Sequence, residues 1–119
     1  DAYEILKQKG QLEFMSTSFI RGITLEDCIV IVDETQNMSG MELHSIMTRI
    51  GENCRIIFAG DIKQDDLTSE RYNERSGLCE FMRILRRMKD FSFLEFGIDD
   101  IVRSKLIKDY IVERDAVGL

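Results

Sequence analysis

Two adjacent carboxylates, Asp33 and Glu34, follow directly on the apolar run Cys28-Ile29-Val30-Ile31-Val32. A carboxylate at the end of a buried strand can hold Mg²⁺ against the phosphates of a nucleotide. Its neighbour can orient or deprotonate an attacking water. A second apolar run, Arg55-Ile56-Ile57-Phe58-Ala59, ends in Gly60-Asp61-Ile62-Lys63-Gln64. Gly60 permits close backbone approach, and the Gln64 amide can donate to a γ-phosphate and accept from a water. Read singly, each segment is equally a polar turn after a strand. Together they favour a nucleotide site, because ligands of open α/β sheets bind at the carboxyl ends of the strands.

The elements that must carry these residues can be read from period and punctuation. Residues 2–9 read as a short helix stopped by Gly10, and Gln11–Met15 as a short strand. Cys28–Val32 is continuously apolar, as in a parallel strand covered on both faces. Ser39 and Glu42 form a capping box that opens a helix with Leu43, Ile46, Met47 and Ile50 inward and Gly51 as its stop. Arg55–Ala59 is the next strand, and Ile62–Arg75 reads as a loop. Leu78, Phe81, Met82, Leu85 and Met88 mark a second amphipathic helix, with Arg86, Arg87 and Lys89 at its negative end. Phe91–Phe96 reads as a last strand. A final helix runs from Asp99 and Asp100 to about Arg114, with Val102, Leu106, Ile107 and Tyr110 inward. Strands alternating with helices predict an α/β layered sheet.

The chain has 119 residues, 44% of them hydrophobic and 32% charged, which suits one soluble domain. Its net charge of -6 argues against a surface that attracts nucleic acid as a whole, though not against a local basic path. No apolar run is long enough to span a bilayer. Cys28, Cys54 and Cys79 have no paired spacing and read as small buried hydrophobes in a reducing cytoplasm. His44 is the sole histidine and has no companion at ligand spacing. The first residue is Asp1 rather than Met, which suggests a fragment or a processed product.

In order along the chain stand Phe19-Ile20-Arg21-Gly22-Ile23-Thr24-Leu25, Ile31-Val32-Asp33-Glu34-Thr35-Gln36-Asn37, Thr48-Arg49-Ile50-Gly51, Gly60-Asp61-Ile62-Lys63-Gln64-Asp65-Asp66-Leu67, Ser76-Gly77-Leu78 and Asp100-Ile101-Val102-Arg103. This series resembles the PhoH family of P-loop ATPases, most of all its bacteriophage members, over about residues 2–112. The resemblance implies a RecA-like P-loop NTPase core with a parallel sheet, and a fold shared with superfamily-one helicases. It makes Asp33 and Glu34 the Walker B pair, with Asp33 holding Mg²⁺ through water and Glu34 activating the hydrolytic water. It places Gly60 and Asp61 beside the nucleotide and makes Gln64 the γ-phosphate sensor. It suits Arg103 to reach a phosphate in its own subunit or across a ring of subunits, where an arginine stabilises transition-state charge. The residues themselves leave Arg103 equally readable as a solvated surface side chain.

Two departures qualify the match. Thr35 stands where the family commonly has Ala. More consequentially, no glycine of this chain is followed by Lys, so the Walker A signature G-x-x-x-x-G-K-[ST] and its strand, loop and helix are absent from these residues. Residues 1–119 therefore read as the C-terminal part of one ATPase domain, inactive alone and completed by its N-terminal half. The resemblance further implies that the Walker A strand lies between the Walker B and sensor strands. The two strands of this chain would then stand apart around an empty slot or pair falsely, and the isolated chain would be poorly soluble.

The function so implied is ATP hydrolysis with Mg²⁺, coupled to remodelling of RNA or single-stranded nucleic acid in the cytoplasm, which is the host's if the chain is phage-encoded. By the same resemblance, Arg21, Gly22 and Thr24 lie near nucleic acid, although a surface loop explains them as well. Arg49 reads as a helix-end cation, and Arg83, Arg86, Arg87 and Lys89 as a solvated basic face. Two alternatives stay open: a catalytically incompetent fragment serving as a partner or scaffold piece, and a component of an ATP-regulated nuclease.

Overall fold

Runs of β-branched residues build the sheet. The computed structural model describes residues 1–62 and 77–119. Strand β1 (Ile29–Val32) lies parallel to β2 (Arg55–Phe58), with Ile29 opposite Arg55 and Val32 opposite Phe58. Beyond both ends the pairing continues: Arg55 N–H donates to the Cys28 carbonyl at 3.1 Å, and Ala59 N–H to the Val32 carbonyl at 2.8 Å. A β1–helix–β2 crossover of this kind defines an α/β fold with a small parallel sheet.

Of the two outcomes expected for these strands, standing apart or pairing with each other, the structure shows the pairing. No third strand separates β1 from β2, and the ladder between them is complete in register. Its extension through Thr35, which is 1% exposed and donates both its N–H (3.1 Å) and its hydroxyl (3.0 Å) to the Ala59 carbonyl, ties the segments that follow the strands as well.

The crossover helix α2 (Gly40–Met47) starts at the predicted capping box. Ser39 Oγ accepts from Glu42 N–H at 3.2 Å, and Glu42 Oε1 accepts from Ser39 N–H at 3.3 Å. Leu43 and Ile46 are its buried residues. Ile50, expected on this helix, instead bridges Leu25 beyond it. Helix α3 (Leu78–Arg86) buries Leu78, Cys79, Phe81 and Leu85, and Phe81 meets Phe58 edge-on with ring centroids 4.9 Å apart. Met88 falls past its end and is exposed.

Side-chain alternation splits the sheet into two unlike faces. Val30, Val32, Ile56 and Phe58 turn inward toward Ile20, Met38 and Ile46. Ile29, Ile31 and Ile57 turn outward and are 67%, 68% and 51% exposed. Among the described residues the sheet is thus covered on one face, where its continuous apolar sequence predicts two. A pair of strands rarely stands alone without further strands or a second covering layer.

The chain divides into two compact units, Asp1–Lys89 and Asp90–Leu119. In the first, helix α1 (Ala2–Gln8) forms as predicted, but Gln11–Met15 is not a strand; Phe14 stacks against Tyr3 at 5.3 Å instead. In the second, Phe91–Phe96 is likewise not a strand, having no ladder partner among the described residues. Asp99 and Asp100 belong to a separate 3₁₀ turn, Ile98–Asp100, and helix α4 (Lys105–Ala116) begins only after Ser104 caps it. The expected start at Asp99 and Asp100 is thus corrected to Ser104, a residue type equally good as an N-cap. Arg103 accordingly lies on a bend before α4 and not on the helix, and α4 has no buried residue, Leu106 and Tyr110 included. No described helix is long and apolar enough to cross a membrane.

Candidate nucleotide site

The site residues that the structure describes gather at the carboxyl ends of β1 and β2. Asp33 is exposed, and its Oδ1 accepts from the Glu34 N–H at 2.9 Å. Glu34 has a left-handed backbone, φ 55°, uncommon for a residue with a Cβ. It leads into a 3₁₀ turn, Thr35–Asn37, whose Asn37 N–H donates to the Glu34 carbonyl at 3.0 Å. A left-handed non-glycine residue costs on the order of 1–3 kcal/mol and concentrates at functional sites. Here it turns the chain sharply, so that two successive carboxylates stay at the rim of the sheet.

Gln36 joins the two strand ends. Its Nε2 donates to Glu34 Oε2 at 2.6 Å, and its Oε1 accepts from the Asp61 N–H at 3.1 Å. A single amide therefore reports the position of the segment after β2 to the carboxylate after β1. By sequence alone Gln36 has no assigned role. The signal was its place two residues after Glu34, where the amide can reach back. By sequence Thr35 is only a departure from Ala, yet its buried hydroxyl ties the turn to the Ala59 carbonyl.

Gly60 is required for close approach. A Cβ there would collide with Thr35 Oγ1 and stand 2.8 Å from Gln36 Oε1. Gly60→Ala should therefore lower stability by about 1–3 kcal/mol. Combining it with Thr35→Ala should recover part of that loss, since one of the two obstructing oxygens is gone. A double-mutant cycle in urea would measure the coupling; strictly additive losses would mean that the two residues do not touch.

Asp33, Glu34, Gly60 and Asp61 are thus brought together. Gln64 lies outside the described residues, as does most of the expected loop Ile62–Arg75. Arg103 belongs to the second unit. Arg21 lines a shallow cleft of about 290 Å³ with Thr17, Ser18, Glu42 and Ser45, where Thr17 donates to Glu42 Oε2 at 3.2 Å. Thr24 is exposed.

A parallel α/β unit with paired acidic strand ends is the class of protein these features define. The family model described as PhoH-like protein matches residues 1–113. The chain belongs to the PhoH-like family. It is 32% identical to a PhoH-like protein of Bacillus subtilis (strain 168) over 115 residues, which is 97% of this chain and 35% of that protein. It is 34% identical over 104 residues to Protein PhoH of Escherichia coli (strain K12), covering 87% of this chain and 28% of that one. A PhoH-like protein of Synechocystis is 34% identical over 103 residues, 87% of this chain and 30% of the relative. The chain therefore spans about a third of the length of the curated relatives it matches.

Proposed function

We propose that this chain supplies the Walker B and sensor half of a RecA-like Mg²⁺-dependent ATPase, and that the whole protein couples hydrolysis to RNA or single-stranded nucleic acid. The observation that carries the reading is the Gln36 bridge, which fixes Glu34 against Asp61 across two adjacent parallel strands. Such a clamp suits a carboxylate that must be held in one orientation toward a water.

The donors fit Mg²⁺. Among the described residues no group of three or more His, Cys, Asp or Glu could cage a metal. Mg²⁺ typically needs no cage; one or two carboxylates, water and substrate phosphates suffice. Asp33 spends one lone pair on the Glu34 N–H and keeps the rest of its exposed carboxylate for a metal-bound water. When bound, Mg²⁺ neutralises charge developing on the phosphates. Glu34 would accept a proton from the attacking water, and the family resemblance gives Gln64 the sensing of the γ-phosphate and Arg103 the neutralising of charge on it. The exposed apolar face of Ile29, Ile31 and Ile57 would suit cover by a further part of such a domain. Ring assembly would let Arg103 act on a neighbour's nucleotide.

Asp33→Asn in the full-length protein tests the metal role. It should raise the Mg²⁺ concentration needed for half-maximal phosphate release by about tenfold or more, while metal-free nucleotide binding changes little. An unchanged Mg²⁺ requirement would remove Asp33 from the site.

A further inference from the structure

At the opposite ends of the strands, away from the carboxylates, two thiols face each other. Cys28 immediately precedes β1 and Cys54 immediately precedes β2, and extending the register places them side by side. Their Sγ atoms are 3.7 Å apart. Cys54 Sγ donates to the Leu25 carbonyl at 2.9 Å, so the hydrogen bond between the thiols runs from Cys28 to Cys54. Burial pushes the Cys28 thiol above its ordinary range, and the hydrogen bond to Cys54 adds to that rise.

The surrounding backbone holds this pair in place. The residues just before the two cysteines, Asp27 and Asn53, are both left-handed, at φ 54° and 55°. Asn53 Nδ2 donates to Asp27 Oδ1 at 2.9 Å, and Asp27 N–H donates to the Glu52 carbonyl at 3.1 Å. One step further out, Leu25 N–H meets the Arg49 carbonyl and Gly51 N–H meets the Leu25 carbonyl, both at 2.7 Å. Matched turns thus fix the entry to both strands. Neighbouring strands are about 4.8 Å apart, within the roughly 4.4–6.8 Å Cα separation that a disulfide spans.

We propose that Cys28 and Cys54 form a reversible modification site, a dithiol that low-molecular-weight disulfides convert to an intrachain disulfide stapling β1 to β2. One protein thiolate attacks a sulfur of the small disulfide and releases one small thiolate, leaving a mixed disulfide. The second protein thiol loses its proton and attacks the protein sulfur of that bond, releasing the other small thiol. Two protein thiols are oxidised and one small disulfide is reduced to two thiols. The staple closes the crossover that contains α2 and lies at the far end of the strands from Asp33 and Glu34.

The test treats the full-length native protein with oxidised glutathione, blocks remaining thiols by alkylation and maps the peptides by mass spectrometry. The expected product is one peptide pair joined through Cys28 and Cys54, released by dithiothreitol. It should form at least about tenfold faster in the native protein than in urea, because the fold holds the thiols together. Cys79→Ser should form it at the wild-type rate. Cys28→Ser and Cys54→Ser should each lose it and retain glutathione on the cysteine that remains. Full alkylation of both cysteines after oxidation, glutathione on both without a joined pair, or equal rates in urea and in buffer would each overturn the proposal.

Discussion

Glu34→Gln in the full-length protein should still bind ATP yet hydrolyse it about 10²–10⁴-fold more slowly, the usual contribution of a positioned general base. The geometry makes this a clean substitution. Gln36 Nε2 donates to Glu34 Oε2 at 2.6 Å, and an amide oxygen at that position can accept the same hydrogen bond. The left-handed turn and the Asp33 contact to the Glu34 backbone N–H involve no side-chain atom of Glu34. What changes is the capacity to take a proton from water. Single-turnover phosphate release and nucleotide binding, measured on the same preparation, separate the two effects. Near wild-type hydrolysis would show that Glu34 is not the base and would leave the Gln36 bridge a structural tie only.

Gly77→Ala should be the most destabilising single-methyl change in the described part of the chain. A Cβ on Gly77 would run into the backbone N and Cα of Gly40 and stand 3.2 Å from the Ser39 carbonyl carbon. None of these atoms can yield without disturbing the capping box that starts α2 or the 3.3 Å bond from Gly77 N–H to the Met38 carbonyl. A loss of about 3 kcal/mol is expected, the upper part of the range for overpacking. The reverse substitution makes an internal control. A Cβ on Gly40 would meet only Gly77 Cα, at 3.7 Å, so Gly40→Ala should be neutral or slightly stabilising at the first position of a helix. Denaturant melts of both variants would decide; equal effects would show that the two helix starts do not approach this closely.

These two glycines also show how far the sequence reached. Ser39 and Glu42 announced the start of α2 because a capping box is closed by residues three apart. The apolar runs announced β1 and β2, and Asp33 and Glu34 announced the acidic rim, for the same reason: each signal is local. Signals needing a distant partner misled or were silent. Phe91–Phe96 has the aromatic and apolar content of a strand, but a strand forms only where another supplies its hydrogen bonds. Asp99 and Asp100 read as the start of the last helix, but they form the separate turn Ile98–Asp100, and the helix begins at the Ser104 cap.

By itself the sequence determined the family, the parallel α/β character and the acidic residues at the strand ends, all of which are written in contiguous patterns. Only the tertiary structure decided that β1 and β2 are direct neighbours, that Gln36 spans them, that Thr35 is buried beneath them, and that Cys28 lies against Cys54. The physical reason is register. Shifting the pairing by a single residue would move Cys28 away from Cys54 and draw Thr35 and Gln36 away from Ala59 and Asp61. That register is set by hydrogen bonds between residues far apart in the chain, which no local pattern encodes.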